Sequence, residues 1–269
     1  MEFIKYTSQF EKMIDNKIIG MPELINAEIN FRGKNNILFC DNNIKLENVI
    51  LDFNGNNSIV YLSSDLVNNF KVEIYNNSFL FLGKDIKLGS SIKISVYECQ
   101  NVFIGDDCII GDNAYISTSN SYPIYDGNSK ERINYSQSIF IGDHVFFGNY
   151  SYISRGVCIG SGAIVGDCTF IEAYSKIPSN SLLSGNPAVI VQKNVFFTDE
   201  FLGPYLNEDS LNSKDYRSDV FIYKVVNKET LNINYIDDIL KDLTVEEKLE
   251  FIQKLFVRNK RRNRFAIEV

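Results

Sequence analysis

Residues 141–188 divide without remainder into sixes: IGDHVF, FGNYSY, ISRGVC, IGSGAI, VGDCTF, IEAYSK, IPSNSL and LSGNPA. The first position of each unit is Ile, Phe, Ile, Ile, Val, Ile, Ile, Leu. The second is Gly in four of the eight and the fifth is mostly small. Six residues make one short strand and one turn, and three such units close a triangular coil of about eighteen residues. The first residue of each unit fills the interior. The fifth also points inward, where space is tight. Glycine at the second position relieves crowding or permits unusual dihedrals. An amphipathic strand meander would alternate with period two and would not hold three residue types at fixed offsets. The reading is therefore a parallel β-helix, whose stacked coils bury a core that no single coil could.

The same register begins upstream at Ile104 with IGDDCI, IGDNAY and ISTSNS. Looser coils of about twenty to twenty-two residues precede it, in NNILFCDNNIKLENVILDF, NNSIVYLSSDLVNNFKVEI and NNSFLFLGKDIKLGSSIKISV. Their asparagines suit left-handed corners. These limits set an N-terminal cap over 1–34, a β-helix over 35–195 and a partly helical C-terminal extension over 196–269. Ser8 and Glu11 are spaced as a capping box, as are Thr244 and Glu247. Val245, Leu249, Ile252 and Phe256 form an apolar stripe at helical spacing, placing a helix against the coil stack or a neighbouring subunit. The basic run Arg258, Lys260, Arg261, Arg262 and Arg264 reads as a solvated helix end or as a phosphate-binding patch.

Composition excludes several functions. A net charge of −7 argues against general nucleic-acid binding. No apolar run reaches the ~20 residues of a membrane span, and no secretory signal is visible, so a soluble cytoplasmic protein is expected. The five cysteines are odd in number and widely spaced, as reduced thiols are. The single histidine, His144, removes a three-histidine zinc site, and no metal is expected. A Ser-His-Asp triad would have to use His144, and no GxSxG elbow accompanies it.

The sixes, with IGDHVFFG and IPSNSLLSGNPA, resemble the hexapeptide-repeat acyltransferases, above all the bacterial sugar O-acetyltransferases of surface polysaccharides. The resemblance implies a left-handed parallel β-helix, an exception to the usual right-handed crossover. It also implies a homotrimer, acetyl-CoA bound between neighbouring subunits, and a sugar or glycan acceptor. In such relatives a loop carries Asp-x-His-x-Ile-Tyr-Asp followed by Arg-Ile-Asn. Here 118–137 is that loop, with SNSYPIYD and ERIN. Ile124, Tyr125, Asp126, Arg132, Ile133 and Asn134 keep the frame, while Tyr122 takes the histidine's place.

Acyl transfer to a hydroxyl calls for a base of pKa near 7. A phenol of ordinary pKa (~10) is about a thousandth ionised at pH 7. The candidate catalytic residues are Tyr122, His144, Asp126 and Phe146, which replaces the family's active-site tryptophan. The cofactor groove implied by the resemblance would involve Asn149, Asp167, Glu172, Lys176 and Val189. Several of these replace the family's small residues or cations with acids or neutral residues, a change unfavourable to the phosphates of CoA. Lys176 is the cation able to compensate. Two readings follow: an acetyl-CoA-dependent sugar O-acyltransferase with altered residues, or a catalytically silent trimeric scaffold or glycan-binding partner. An enzyme with a donor lacking the CoA phosphates is a third.

Overall fold

The computed structural model describes residues 1–41, 44–63 and 65–268. The chain is a left-handed parallel β-helix of hexapeptide repeats. Its strands fall on three sheets. The first face carries Lys45–Phe53, Leu66–Ile74, Ile92–Val96, Tyr115–Ser117, Tyr152–Ile153 and Phe170–Ile171. The second runs through Ile37–Cys40, Ile59–Leu62, Phe79–Leu82, Asn101–Ile104, Ile139–Ile141, Cys158–Ile159 and Lys176–Ile177. The third holds Lys87–Leu88, Ile109–Ile110, Phe146–Phe147, Ile164–Val165 and Ser181–Ser184, and the antiparallel strand Val189–Lys193 closes it.

The repeat behaves as its spacing requires. Every first-position residue from Ile141 to Leu183 is buried. At the fifth position Val145, Ser151, Val157, Ala163, Thr169 and Ser181 are buried too. Of the two roles open to the second-position glycines, the structure selects crowding. A Cβ on Gly142 would lie 2.5 Å from the backbone nitrogen of Ser161, and one on Gly148 would lie 2.5 Å from that of Asp167. The left-handed residues sit elsewhere in the unit, at the fourth position. There His144, Tyr150, Cys168, Tyr174 and Asn180 have φ between 53° and 66°.

In the looser coils the corners are asparagines that stack and hydrogen-bond to one another. Asn35 donates to Asn57 at 2.8 Å, 22 residues away, and Asn57 donates to Asn77 at 3.1 Å, 20 residues away. Asn26, Asn48 and Asn69 form a second such column. The helix starts earlier than its sequence pattern indicates. Lys17–Ile19 pairs with Ile37–Cys40, and Glu23–Ile25 and Glu28–Phe31 pair with Lys45–Phe53. These strands follow no six-residue register, which is why the pattern misses them. The remaining N-terminal cap is a strand, Glu2–Ile4, and a short helix, Thr7–Lys12. Its box is not Ser8 and Glu11: the side chain of Gln9 accepts the backbone N–H groups of Lys5 and Tyr6.

The second face is apolar on both sides, so it demands a cover. Phe39, Tyr61 and Phe81 stack outward along it at 4.4 and 5.3 Å, and Phe79, Phe103 and Phe140 form a parallel column at 5.9 and 4.9 Å. The C-terminal extension supplies the cover. Its helices are α1 (Asn207–Asn212), α2 (Ile236–Lys241) and α3 (Val245–Ile252), the last continued by a π-helical turn, Gln253–Val257. The Thr244–Glu247 capping box opens α3. Val245, Leu249, Ile252 and Phe256 are all buried, and Phe256 rests 5.3 Å from Phe81 and 5.0 Å from Phe103.

Arg258, Lys260, Arg261 and Arg262 are exposed, but the last residue of the basic run, Arg264, turns inward. Arg264 is buried and clasps Asp143 at 2.8 and 2.6 Å and Asp106 at 2.9 Å, and it also donates to the carbonyls of Phe256 and Asn259. Lys260 reaches Asp106 at 3.3 Å. Asp106 and Asp143 occupy the same corner in successive coils, and the Asp143 side chain accepts the Asp106 N–H. Burial pushes the Asp143 carboxyl up, and Arg264 opposes that shift. Removing the guanidinium leaves two stacked carboxylates without their main cation. Arg264→Met is expected to cost about 3–5 kcal/mol, read as a fall in the urea midpoint.

Candidate functional site

The loop at 118–137 leaves the first face after Ser117 and rejoins the second at Ile139. It is a braced hairpin. Tyr125 and Arg132 pair across it. Asn134 is buried between its arms, accepting the Ile124 N–H at 2.6 Å and donating to the Tyr122 carbonyl at 2.8 Å. Arg132 grips Glu98 through two hydrogen bonds of 2.7 and 2.8 Å, and Ser136 also donates to Glu98. At the other arm Arg155 donates to Asn120 and lies over the Tyr174 ring at 5.4 Å. The conserved-looking frame of the sequence thus has a mechanical reason: Arg132 and Asn134 hold the loop's shape.

Tyr122 projects from this loop with 79% of its surface exposed. Among the described residues its side chain makes no hydrogen bond or ring contact. Asp126 serves a turn: its carboxylate accepts the N–H groups of Asn128 and Ser129, and these bonds hold it below the usual range.

His144, a candidate catalytic residue, does not stand at an open surface. Its ring is buried between Phe197 and Phe221, with centroids 4.0 and 4.2 Å away. Nε2 faces the Phe197 carbonyl at 3.0 Å and Nδ1 faces Asp107 at 2.6 Å. Both nitrogens have partners within the chain and the ring is buried, so His144 does not face open solvent where a substrate would stand. The extension that covers it has no repeat register, so nothing in the sixes reveals the burial. Phe146 lies on the third face, 5.8 Å from Phe197.

The expected cofactor residues are spread over other corners. Asn149 and Asp167 belong to one column: Asn149 accepts the Asp112 N–H at 2.8 Å, and Asp167 accepts the Asn149 N–H at 2.6 Å. The acid at 167 therefore has a structural task. Glu172 is exposed beside the first face, Lys176 is exposed where the second begins, and Val189 is exposed on the closing strand. Among the described residues none of them makes a hydrogen bond, ion pair or ring contact with Tyr122. Among the described residues there is no cluster suited to a metal ion, and no helix is long and apolar enough to cross a membrane.

A family model described as the hexapeptide repeat of succinyl-transferase matches residues 101–119 and 138–171, on either side of the loop. The polySia specific acetyltransferase NeuO superposes with a TM-score of 0.64 at 26% identity, over 74% of this chain and 93% of that one. The chain is thus similar in its repeat and its fold to the hexapeptide-repeat acyltransferases. The polysialic acid O-acetyltransferase OatWY, at 23% identity, shares the fold with a TM-score of 0.56 over 73% of this chain and 98% of that one. No match is found among curated proteins. In this hexapeptide-repeat protein, sequence reasoning missed the Glu98 brace and the Arg264 clasp. Both join residues far apart in the chain. Phe265 and Ala266, apolar residues directly after Arg264, were the one local sign that the basic run turns inward.

Arg132 and Ser136 hold the Glu98 carboxylate at about 2. A depressed carboxylate stabilises above its unfolded pKa and loses that contribution as pH falls through the folded value. The brace is expected to weaken between pH ~4.3 and about 2. Hydrogen exchange at Ile124 and Ile133 should speed up in that window, and Glu98→Gln should produce the same speeding at neutral pH.

Proposed function

We propose that this chain transfers an acetyl group from acetyl-CoA to a sugar hydroxyl, in a site completed between copies of a homotrimer. The observation that carries the reading is the loop. Its frame is braced by Arg132, Asn134 and Glu98, and yet Tyr122 is presented outward with no side-chain partner among the described residues of its own chain. A braced loop with an unspent tip suits a surface that a neighbouring subunit completes. Phe146, Asn149, Asp167, Glu172, Lys176 and Val189 lie away from that tip, so a shared site would draw on them from another copy. NeuO and OatWY are named as acetyltransferases of polysialic acid, and by analogy a surface glycan is the acceptor class proposed here.

In that site the attacking sugar oxygen must shed its proton as it bonds to the thioester carbon, with the CoA thiolate leaving. Tyr122 is the loop residue proposed to receive that proton, which it can do only as the phenolate. The occupied ring of His144 favours a second reading, a catalytically silent member kept as a trimeric scaffold or glycan-binding partner. Calorimetric titration with CoA separates the two. Micromolar binding is expected of the enzyme, and absence of binding at millimolar CoA would leave the scaffold. In a competent groove, Tyr122→His should raise acetyl transfer to a glycan acceptor by about 10²–10⁴-fold, the contribution of a well-placed base, measured as free thiol released from acetyl-CoA.

A further inference from the structure

A pocket of about 380 Å³ opens at the root of the loop, between the second face and α2. Gln100, Gln137, Ser138, Tyr174, Lys176 and Asp237 are among its walls. Gln137 and Ser138 are where the loop rejoins the β-helix, and Tyr174 and Lys176 belong to the last coil on that face. Asp237 comes from the C-terminal extension.

The wall behind the pocket is built to be polar. Asn101 is only 4% exposed. Its backbone N–H donates to Ser138 Oγ at 2.8 Å and its side-chain amide donates to Asp237 at 2.8 Å. Its Oδ1 is buried without a partner. Burial pushes the Asp237 carboxyl up, against the hydrogen bonds from Asn101 and Ser138. Asp238 and Lys241 also line the pocket and neutralise each other at 2.8 Å.

Two carboxylates are thus balanced by two ammonium groups, and two amide side chains, a phenol ring and the apolar Phe140, Cys158 and Ile233 complete the walls. A strongly charged ligand gains little there. A ligand that both donates and accepts at many points gains most, and a ring carrying several hydroxyls does both. The volume falls within the range of small-ligand pockets. We infer that this pocket holds one neutral pyranose ring of the acceptor glycan, away from the reacting hydroxyl, with the C-terminal extension as its outer wall. The inference rests on the sugar-acceptor reading above.

The test uses the full-length protein and methyl α-D-glucopyranoside and methyl α-D-galactopyranoside as probes, without CoA, followed by saturation-transfer NMR. Saturable binding in the millimolar range is expected for at least one probe. Asp237→Asn should weaken it about tenfold, by removing a charge-assisted bond. Lys176→Met should weaken it in the same direction. Lys176 is exposed, so that variant keeps its fold if Asp237→Asn does not. Binding of neither probe, or binding unchanged in a folded variant of each site, overturns the inference. Because CoA is absent, pyranoside binding can fail while the CoA titration succeeds, and the reverse, so the two readings fall separately.

Discussion

Parallel coils set each side chain directly over its counterpart in the next coil, about 4.8 Å away. Much of the rest of the structure follows from that stacking. It makes like sit upon like, and the outcome depends on the chemistry of the residue repeated. Asparagine has a donor and an acceptor on one head, so a column of asparagines bonds to itself, as Asn35, Asn57 and Asn77 do. Glycine at the second position keeps the backbone of the next coil at a distance that no Cβ allows.

Carboxylates and aromatic rings stack less comfortably, and both cases call on the C-terminal extension. Asp106 and Asp143 are stacked acids from the IGDD and IGDH units. They repel unless a cation intervenes, and Arg264 returns from the far end of the chain to clasp both. The aromatic columns on the second face are compatible with each other but not with water. Phe256 and its stripe cover them. His144 follows the same logic. At a left-handed corner over Asp107, it is held by that acid on one nitrogen and by the extension's carbonyl on the other. The extension is thus a structural complement of the coils, and it also contributes Asp237 to the pocket at the loop root.

The site reads differently from the fold. The loop's frame residues brace the loop, and its chemistry depends on what stands opposite Tyr122. No described residue of the same chain does. The acid at Asp167 has a local explanation, since its side chain accepts the Asn149 N–H from the coil before it. That acidity serves the stack of corners whatever the donor. Tyr122, exposed at the loop, has no such local task among the described residues.

How much was legible depends on range. The sixes from Ile104 to Ala188 specified the coil, its interior residues and the loop that interrupts it, because each rests on chemistry repeated at a fixed local spacing. The capping box at Thr244 and Glu247 and the stripe through Phe256 were readable for the same reason. The first coil, from Lys17, was not, since its strands depart from the six-residue register and are fixed by pairing with the coil above. The burial of His144 and Arg264, the Glu98 brace and the pocket behind Asn101 were decided only by tertiary structure. Each joins groups tens of residues or more apart, and a linear pattern carries no record of which distant side chain arrives to satisfy a charge or a lone pair.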